Sequence, residues 1–233
     1  MSIGKLYLVP NKLGESEDNK FLVSHQNLIS KTKYFIFENE KPGRVFIKEI
    51  TPEKKQSELN ISILNKHTKE EEFNDFLNPC LNGNDIALIS DAGCPGIADP
   101  GSEIVRLAHQ SKIKVVPLVG PSSILLALMA SGMSGQNFKF NGYLPIEKNE
   151  RKSKIKDLEK TSIITTQIFM ETPYRNNKFV SVLLEVLKPE TKLCIACDIT
   201  LKTEYIKTKI VKEWKSTKID INKRPAIFLI QSD

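Results

Sequence analysis

The segment DIALIS (85–90) is apolar at consecutive positions, so as a strand it has no polar face. Such a strand needs cover on both sides, and a parallel sheet between two helical layers supplies it. The flanking sequence repeats the pattern. GKLYLVP (4–10), KYFIFEN (33–39), NISIL (60–64) and KVVPLV (114–119) read as further short strands. Residues 21–31, 70–82 and 102–110 read as helices between them. In 70–82, Phe73, Phe76, Leu77 and Leu81 recur at helical spacing behind a first turn rich in acids. Ser102 is the expected cap of 102–110, whose Ile104, Leu107 and Ala108 share a face. This alternation predicts an α/β domain with a parallel sheet over residues 1–118.

The second half has another rhythm. SSILLALMASG (122–132) reads as a Ser-capped apolar helix stopped by Gly132. FKFNGYLP (138–145) and TTQIFMET (165–172) read as strands, EKNERKSKIKDLEK (147–160) and YRNNKFVSVLLEVL (174–187) as helices. KLCIACDI (192–199), EYIKTKIVKEW (204–214) and RPAIFLI (224–230) complete it as strands. The last two alternate better, which suits antiparallel pairing. A strand meeting Gly-Pro sets the boundary near Leu118–Pro121. A second, mixed-sheet α/β domain is therefore expected over 122–233.

The longest continuous apolar run, Ile124 to Ala130, is far shorter than the about 20 residues of a membrane-spanning helix. The start, MSIGKLYLVPN, lacks the apolar stretch and cleavage site of a secretory signal. The expectation is a soluble cytoplasmic protein with no membrane partner. Cys80, Cys94, Cys194 and Cys197 show no disulfide spacing, and one CxxC inside a strand-like run fits buried core thiols better than zinc. With His25, His67 and His109 scattered, no metal site is expected. Charge is uneven. Residues 1–118 hold 15 Lys/Arg against 16 Asp/Glu, leaving 19 against 12 for 119–233, so the excess of +6 lies in the second half. A basic half attracts anionic partners such as nucleic acid. Lys outnumbers Arg 29 to 5, however, which also reads as a compositional bias.

The most unusual stretch is ISDAGCPGIADPGSE (89–103), with Gly93, Gly96, Gly101, Pro95, Pro100, Asp91 and Asp99. It follows a buried strand and precedes a helix, the position where open parallel sheets bind ligands. Glycines there admit close backbone approach and prolines stiffen the loop. Neither GxGxxG nor GxxxxGK[ST] occurs. From Asn84 to Val105 there are four acids and no Lys or Arg, a poor setting for a triphosphate. A cationic or zwitterionic ligand held by carbonyls and carboxylates suits it, and S-adenosylmethionine fits.

SDAGCPGIADPG, followed by VVPLVGPSSILLALMASG, FKFNGYLP and later IFMETPYR, resembles the tetrapyrrole-methylase superfamily of S-adenosylmethionine-dependent methyltransferases. Within it the likeness is strongest to the ribosomal RNA small-subunit methyltransferase I branch, which 2′-O-methylates a cytidine of 16S rRNA. The resemblance implies a two-domain class III methyltransferase, a cofactor cleft between the domains and a homodimer. It places Pro10 at the cofactor end of the first strand, Asp91, Ala92 and Gly93 on the methionine part, and Ile97 and Ala98 along the same wall. Ser122 and Ser123 match a small or hydroxyl pair facing the cofactor. Glu171, Thr208, Pro225 and Ala226 match second-domain positions near the adenosine, with Thr208 where the family usually has Gly. Other departures are Val9-Pro10-Asn11-Lys12-Leu13-Gly14 for Thr-Pro-Ile-Gly-Asn-Leu, and Glu38-Asn39-Glu40-Lys41 for Glu-Asp-Thr-Arg. Longer members carry an additional C-terminal helical segment beyond the RPAIFLI strand.

Methyl transfer from a sulfonium is an in-line displacement that depends on alignment, and a hydroxyl acceptor must also lose a proton. Glu38, at the end of the second strand, is the candidate acceptor-side base or orienter. Asp99 reads as a helix cap together with Ser102, Arg175 as a partner of Glu171 or of a phosphate, and Trp214 as core. The leading expectation is rRNA methylation with rRNA or the small ribosomal subunit as partner. The alternatives are a tetrapyrrole or other small-molecule methyltransferase, and a non-catalytic cofactor- or nucleic-acid-binding relative.

Overall fold

The computed structural model describes residues 2–15, 20–65, 67–73 and 75–232. The chain divides into two compact units, Met1–Ser122 and Ser123–Asp233.

In the first unit, strands β1 (Lys5–Val9), β2 (Tyr34–Phe37), β3 (Asn60–Ile63), β4 (Ile86–Ile89) and β5 (Lys114–Pro117) form a parallel sheet in the order β3-β2-β4-β1-β5. The pleat divides their side chains between two cores. Val9, Phe35, Phe37, Ala87 and Ile89 pack against Ile29 of α1 (Lys20–Lys31) and Phe46 and Ile47 of α2 (Glu40–Ile50). Leu6, Ile36, Ile86 and Leu88 pack against Leu77, against Cys80 of the single-turn α3 (Asn78–Leu81), and against Ile104 and Ala108 of α4 (Gly101–Gln110). This is the two-sided cover that apolar parallel strands require.

In this unit three features differ from the sequence reading. Helix α2 was not anticipated, because Glu40-Lys41-Pro42-Gly43 carries a turn signature. Pro42 is tolerated in a first turn. Gly43 is needed because a Cβ there would lie 2.4 Å from the Phe37 ring. The expected helix over 70–82 is instead two 3-10 turns, Glu70–Glu72 and Asp75–Leu77, followed by α3, with Asn74 outside the described residues. Pro79 has no N–H to donate into a continuous helix and stands in the first turn of a new one. Ser102 does not cap α4: the N-cap is Pro100, and Asp99 Oδ1 accepts from Gly101 N at 2.8 Å.

In the second unit, β6 (Phe138–Tyr143), β7 (Thr166–Met170), β8 (Lys192–Cys197), β9 (Tyr205–Ile210) and β10 (Ala226–Gln231) form a sheet in the order β6-β7-β10-β8-β9. Only β6 and β7 pair in parallel, so the sheet is mixed. β10 is central and buried from Ala226 to Ile230, so covering helices and not a solvent face set its pattern. Helix α5 (Ser123–Ser131) packs on β8, β9 and β10. Phe169, Phe179 and Phe228 form the aromatic centre of the core, with Ile155 and Leu158 from α6 (Lys148–Thr161) and Phe179 itself from α7 (Asn176–Val186). The strand expected over 204–214 stops at Ile210. Val211 N and Lys212 N donate to Thr191 O and Pro189 O, both at 3.0 Å, and the chain turns into α8 (Val211–Trp214).

Trp214 is core, with its Nε1 donating to Leu193 O at 2.9 Å. All four cysteines are free, and burial pushes the Cys80 and Cys197 thiols up to about 11. Among the described residues no His/Cys/Asp/Glu cluster could hold a metal ion, and no helix is long and apolar enough to cross a membrane.

Candidate functional site

Parallel pairing in the first unit brings every strand's carboxyl end to one edge, so Pro10, Glu38 and Ser90 emerge there from β1, β2 and β4. β1 and β2 lead to helices on one face, whereas β4, between them, leads to α4 on the other. Loops that part in this way leave a crevice at the strand ends.

The loop Ser90–Pro100 is pinned at both ends. Asn11 N donates to Gly93 O at 2.9 Å and Gly93 N donates back to Asn11 O at 3.1 Å. The buried Asn11 side chain donates to Ser90 O and Asp91 O, each at 3.1 Å. Ser90 Oγ donates to Gly93 O at 2.8 Å. At the far end Asp99 Oδ1 accepts from Gly96 N at 2.7 Å as well as from Gly101 N. Gly93 has φ +70°, a conformation a side chain resists, and a Cβ there would stand 3.3 Å from Leu13 Cδ2. Pro10 is buried against Gly120, where a Cβ would come within 2.2 Å of Pro10 Cβ. Of the residues the resemblance names here, Asp91, Ala92, Ile97 and Ala98 are exposed and Gly93 is buried. Ala98 also holds a left-handed φ of +63°, a strained state for a non-glycine that is over-represented at ligand sites.

Three carboxyl groups converge on this edge. Glu38 is half-buried, and burial first, then the negative charges of Asp91 and Asp99, raise its pKa. Asn39 Nδ2 donates to Asp91 Oδ2 at 2.5 Å, tying the end of β2 to the loop. A shallow depression beside it is lined by Glu38, Ser90, Pro95, Asp99 and Gly101. Excess negative charge disfavours a phosphate and stabilises a positive ligand. The donor set therefore fits the sulfonium and ammonium groups of S-adenosylmethionine.

In the second unit, Glu171 follows β7, Asp198 follows β8, and Pro225-Ala226 opens β10, which runs the other way. All three therefore meet at one end of the sheet. Glu171 is buried, and its Oε1 accepts from Thr172 N at 2.7 Å and Arg175 Nη2 at 2.6 Å. Asp198 Oδ2 accepts from Arg224 Nε and Thr203 Oγ1, both at 2.7 Å, and Asp198 N donates to Pro225 O at 3.0 Å. Thr208 is not brought to this end. It pairs with Cys194, three register steps from the Ala226–Cys197 pair, and its hydroxyl donates to Ser131 O at 2.7 Å, closing the end of α5. Ser122 ends the first unit and Ser123 opens α5; both are half-buried. Sequence reasoning did not single out Asn11 as a loop anchor, nor the Asp198–Arg224 pair. The one local signal was Asn11's place after a strand-ending proline.

A three-layer parallel unit with a pinned glycine-proline loop at its strand ends, followed in the chain by a mixed-sheet unit, is the architecture of the class III methyltransferase fold. A profile of the family Tetrapyrrole (Corrin/Porphyrin) Methylases matches residues 28–213, and the chain belongs to that family. The chain is similar to proteins named "Ribosomal RNA small subunit methyltransferase I". The protein from Vibrio cholerae is 38% identical over 143 residues, 61% of this chain and 49% of that one. That from Buchnera aphidicola subsp. Schizaphis graminum is 33% identical over 219 residues, 91% and 72% of the respective chains. That from Bacillus subtilis is 31% identical over 213 residues, 87% and 66%. The matched region spans about half to three quarters of the length of these relatives.

Proposed function

We propose that this chain is an S-adenosylmethionine-dependent methyltransferase whose acceptor is the RNA of the small ribosomal subunit. The observation that carries the proposal is the pinned, cation-free loop Ser90–Pro100 beside Glu38 at the strand ends. The relatives' shared name and the positive excess in residues 119–233 support the RNA acceptor. Asp91, Ala92, Gly93, Ile97 and Ala98 are the proposed contacts to the methionine part, with Pro10, Ser122 and Ser123 beside them. Glu171, Pro225 and Ala226 are the proposed contacts on the adenosine side; Thr208, engaged with Ser131, is a weaker member of that set. The bound cofactor supplies an activated methyl group on a sulfonium.

The residues of this chain do the rest. The loop carbonyls and Asp91 orient the positive centre, and the hydrogen bonds of Asn11 keep those carbonyls from moving as the acceptor approaches. Glu38 accepts the proton of the acceptor hydroxyl. Its raised pKa makes it a better base than a fully solvated carboxylate, while leaving it ionised above that pKa. We place the enzyme in the cytoplasm, as a homodimer. Methyl incorporation from labelled cofactor tests the reading across 30S subunits, free RNA and a precorrin-type acceptor. Label in the subunits supports it. Label only in the tetrapyrrole moves the enzyme to a small planar acceptor, and label in none leaves a binding protein.

A further inference from the structure

One end of the second unit's sheet carries more than the cofactor contacts proposed above need. Tyr174, in the 3-10 turn Pro173–Arg175, is 76% exposed, although it lies between a buried Glu171 and a buried Asn176. The Lys223 ammonium stands over its ring, 5.9 Å from the centroid. Lys223 is held there by its backbone: its N–H donates to Pro173 O at 3.0 Å, and its φ is +62°. A lysine in the left-handed region is disfavoured, and Gly or Asn would cost less. The turn thus fixes the point at which the Lys223 side chain leaves the backbone.

Arginine use points to the same place. The chain has 29 Lys and 5 Arg, yet Arg175 and Arg224 both lie here, each braced by a buried carboxylate. Lysine is the default cation of this sequence, so these two positions call for a planar, fixed guanidinium. Both remain about a third exposed beyond their ion pairs. An exposed ring with a cation across it and braced arginines beside it matches the demands of a stacked base and its phosphates.

We infer that Tyr174, with Lys223 and Arg175, is a stacking platform for one unpaired base of the RNA acceptor, an inference that rests on the methyltransferase reading above. The base lies on the Tyr174 ring, and the adjoining phosphates meet Lys223 and Arg175. A planar tetrapyrrole would also stack on a tyrosine, but the positive charge around the ring favours a polyanion.

Fluorescence anisotropy with a labelled, mixed-sequence, single-stranded RNA of roughly a dozen nucleotides tests the inference on the full chain. Tyr174→Ala is expected to weaken binding about tenfold and Tyr174→Phe to leave it unchanged, because stacking needs the ring and not the hydroxyl. Lys223→Gln is expected to lower the slope of affinity against salt by about one. Binding of S-adenosylhomocysteine stays as in the wild type for all three, which shows that the chain is folded. Equal RNA affinity of Tyr174→Ala and wild type overturns the platform. So does loss of a precorrin-type acceptor with RNA affinity retained. Wild-type chain that binds S-adenosylhomocysteine but no RNA also overturns it, while sparing the methyltransferase assignment.

Discussion

The two units place functional residues at the end of a sheet in opposite ways. In the first, the strands run parallel, so loops gather at one edge and the site is made of backbone, glycine, proline and carboxylates. In the second, β10 runs against its neighbours, so a strand start lies between two strand ends. There each buried carboxylate is matched by an arginine: Glu171 by Arg175, Asp198 by Arg224. The first edge keeps its negative charge in surplus, which adds to burial in raising the Glu38 pKa; the second neutralises its acids and presents cations outward. One chain thus offers a cation-seeking edge and an anion-seeking edge, the division of labour that the proposed sulfonium cofactor and RNA acceptor call for.

The largest effect is expected where the contrast is sharpest. Glu38→Gln keeps the shape of the first edge and removes its base, so methyl transfer to 30S subunits should fall by about a hundredfold or more, with S-adenosylhomocysteine affinity unchanged. Turnover within twofold of wild type, read from label incorporation, would take Glu38 out of the mechanism. Gly93→Val comes next. A β-branched residue at φ +70° costs about 1–2 kcal/mol of backbone strain, so the loop should shift and calorimetric affinity for S-adenosylhomocysteine should drop roughly tenfold. Asp198→Ala strikes the other edge. It removes the carboxylate that accepts from Arg224 Nε and Thr203 Oγ1, while Arg224 keeps its bonds to Asp220 O and Thr203 O, and should cost about 1 kcal/mol, the low end for such bonds because the guanidinium is about a third exposed. Hydrogen exchange should speed up in β8 and β10 and stay the same in β1 and β4; equal acceleration in both units would mean that the two edges are not independent.

The smallest effect follows from the Glu38 titration. A carboxyl whose pKa is higher in the folded than in the unfolded chain adds stability below the ordinary carboxylate range, and this is lost as pH rises through the folded value. Glu38→Gln should therefore be slightly more stable than wild type at neutral pH, and the gap should close on acidification through that range. Urea midpoints across the pH series read this directly; a wild type that is the more stable at pH 7 would show that burial and the neighbouring carboxylates do not raise the Glu38 pKa.

Much of this was legible in the residues. The apolar run Ile86–Ile89 predicted the buried parallel strand, and the long loop behind it marked the candidate site. What escaped notice depends on spatial neighbours. Helix α2 hides behind Pro42-Gly43 because the reason for Gly43 is the Phe37 ring, six residues earlier in sequence. The helix expected over 70–82 has the right apolar spacing but breaks at Pro79, where a missing donor outweighs periodicity. Asn11 looks like an ordinary loop residue, and its value lies in carbonyls some eighty positions away. Thr208 was placed by resemblance among the adenosine contacts, while its hydroxyl is engaged with the end of α5.

Isothermal titration of the chain with S-adenosylhomocysteine, beside Asn11→Ala, tests most directly whether the pinned loop holds the nucleoside. Saturable binding at one site per chain, weakened several-fold when the Asn11 side chain no longer braces Ser90 and Asp91, is the predicted result. No heat from the wild type, or identical isotherms for the two proteins, would contradict it.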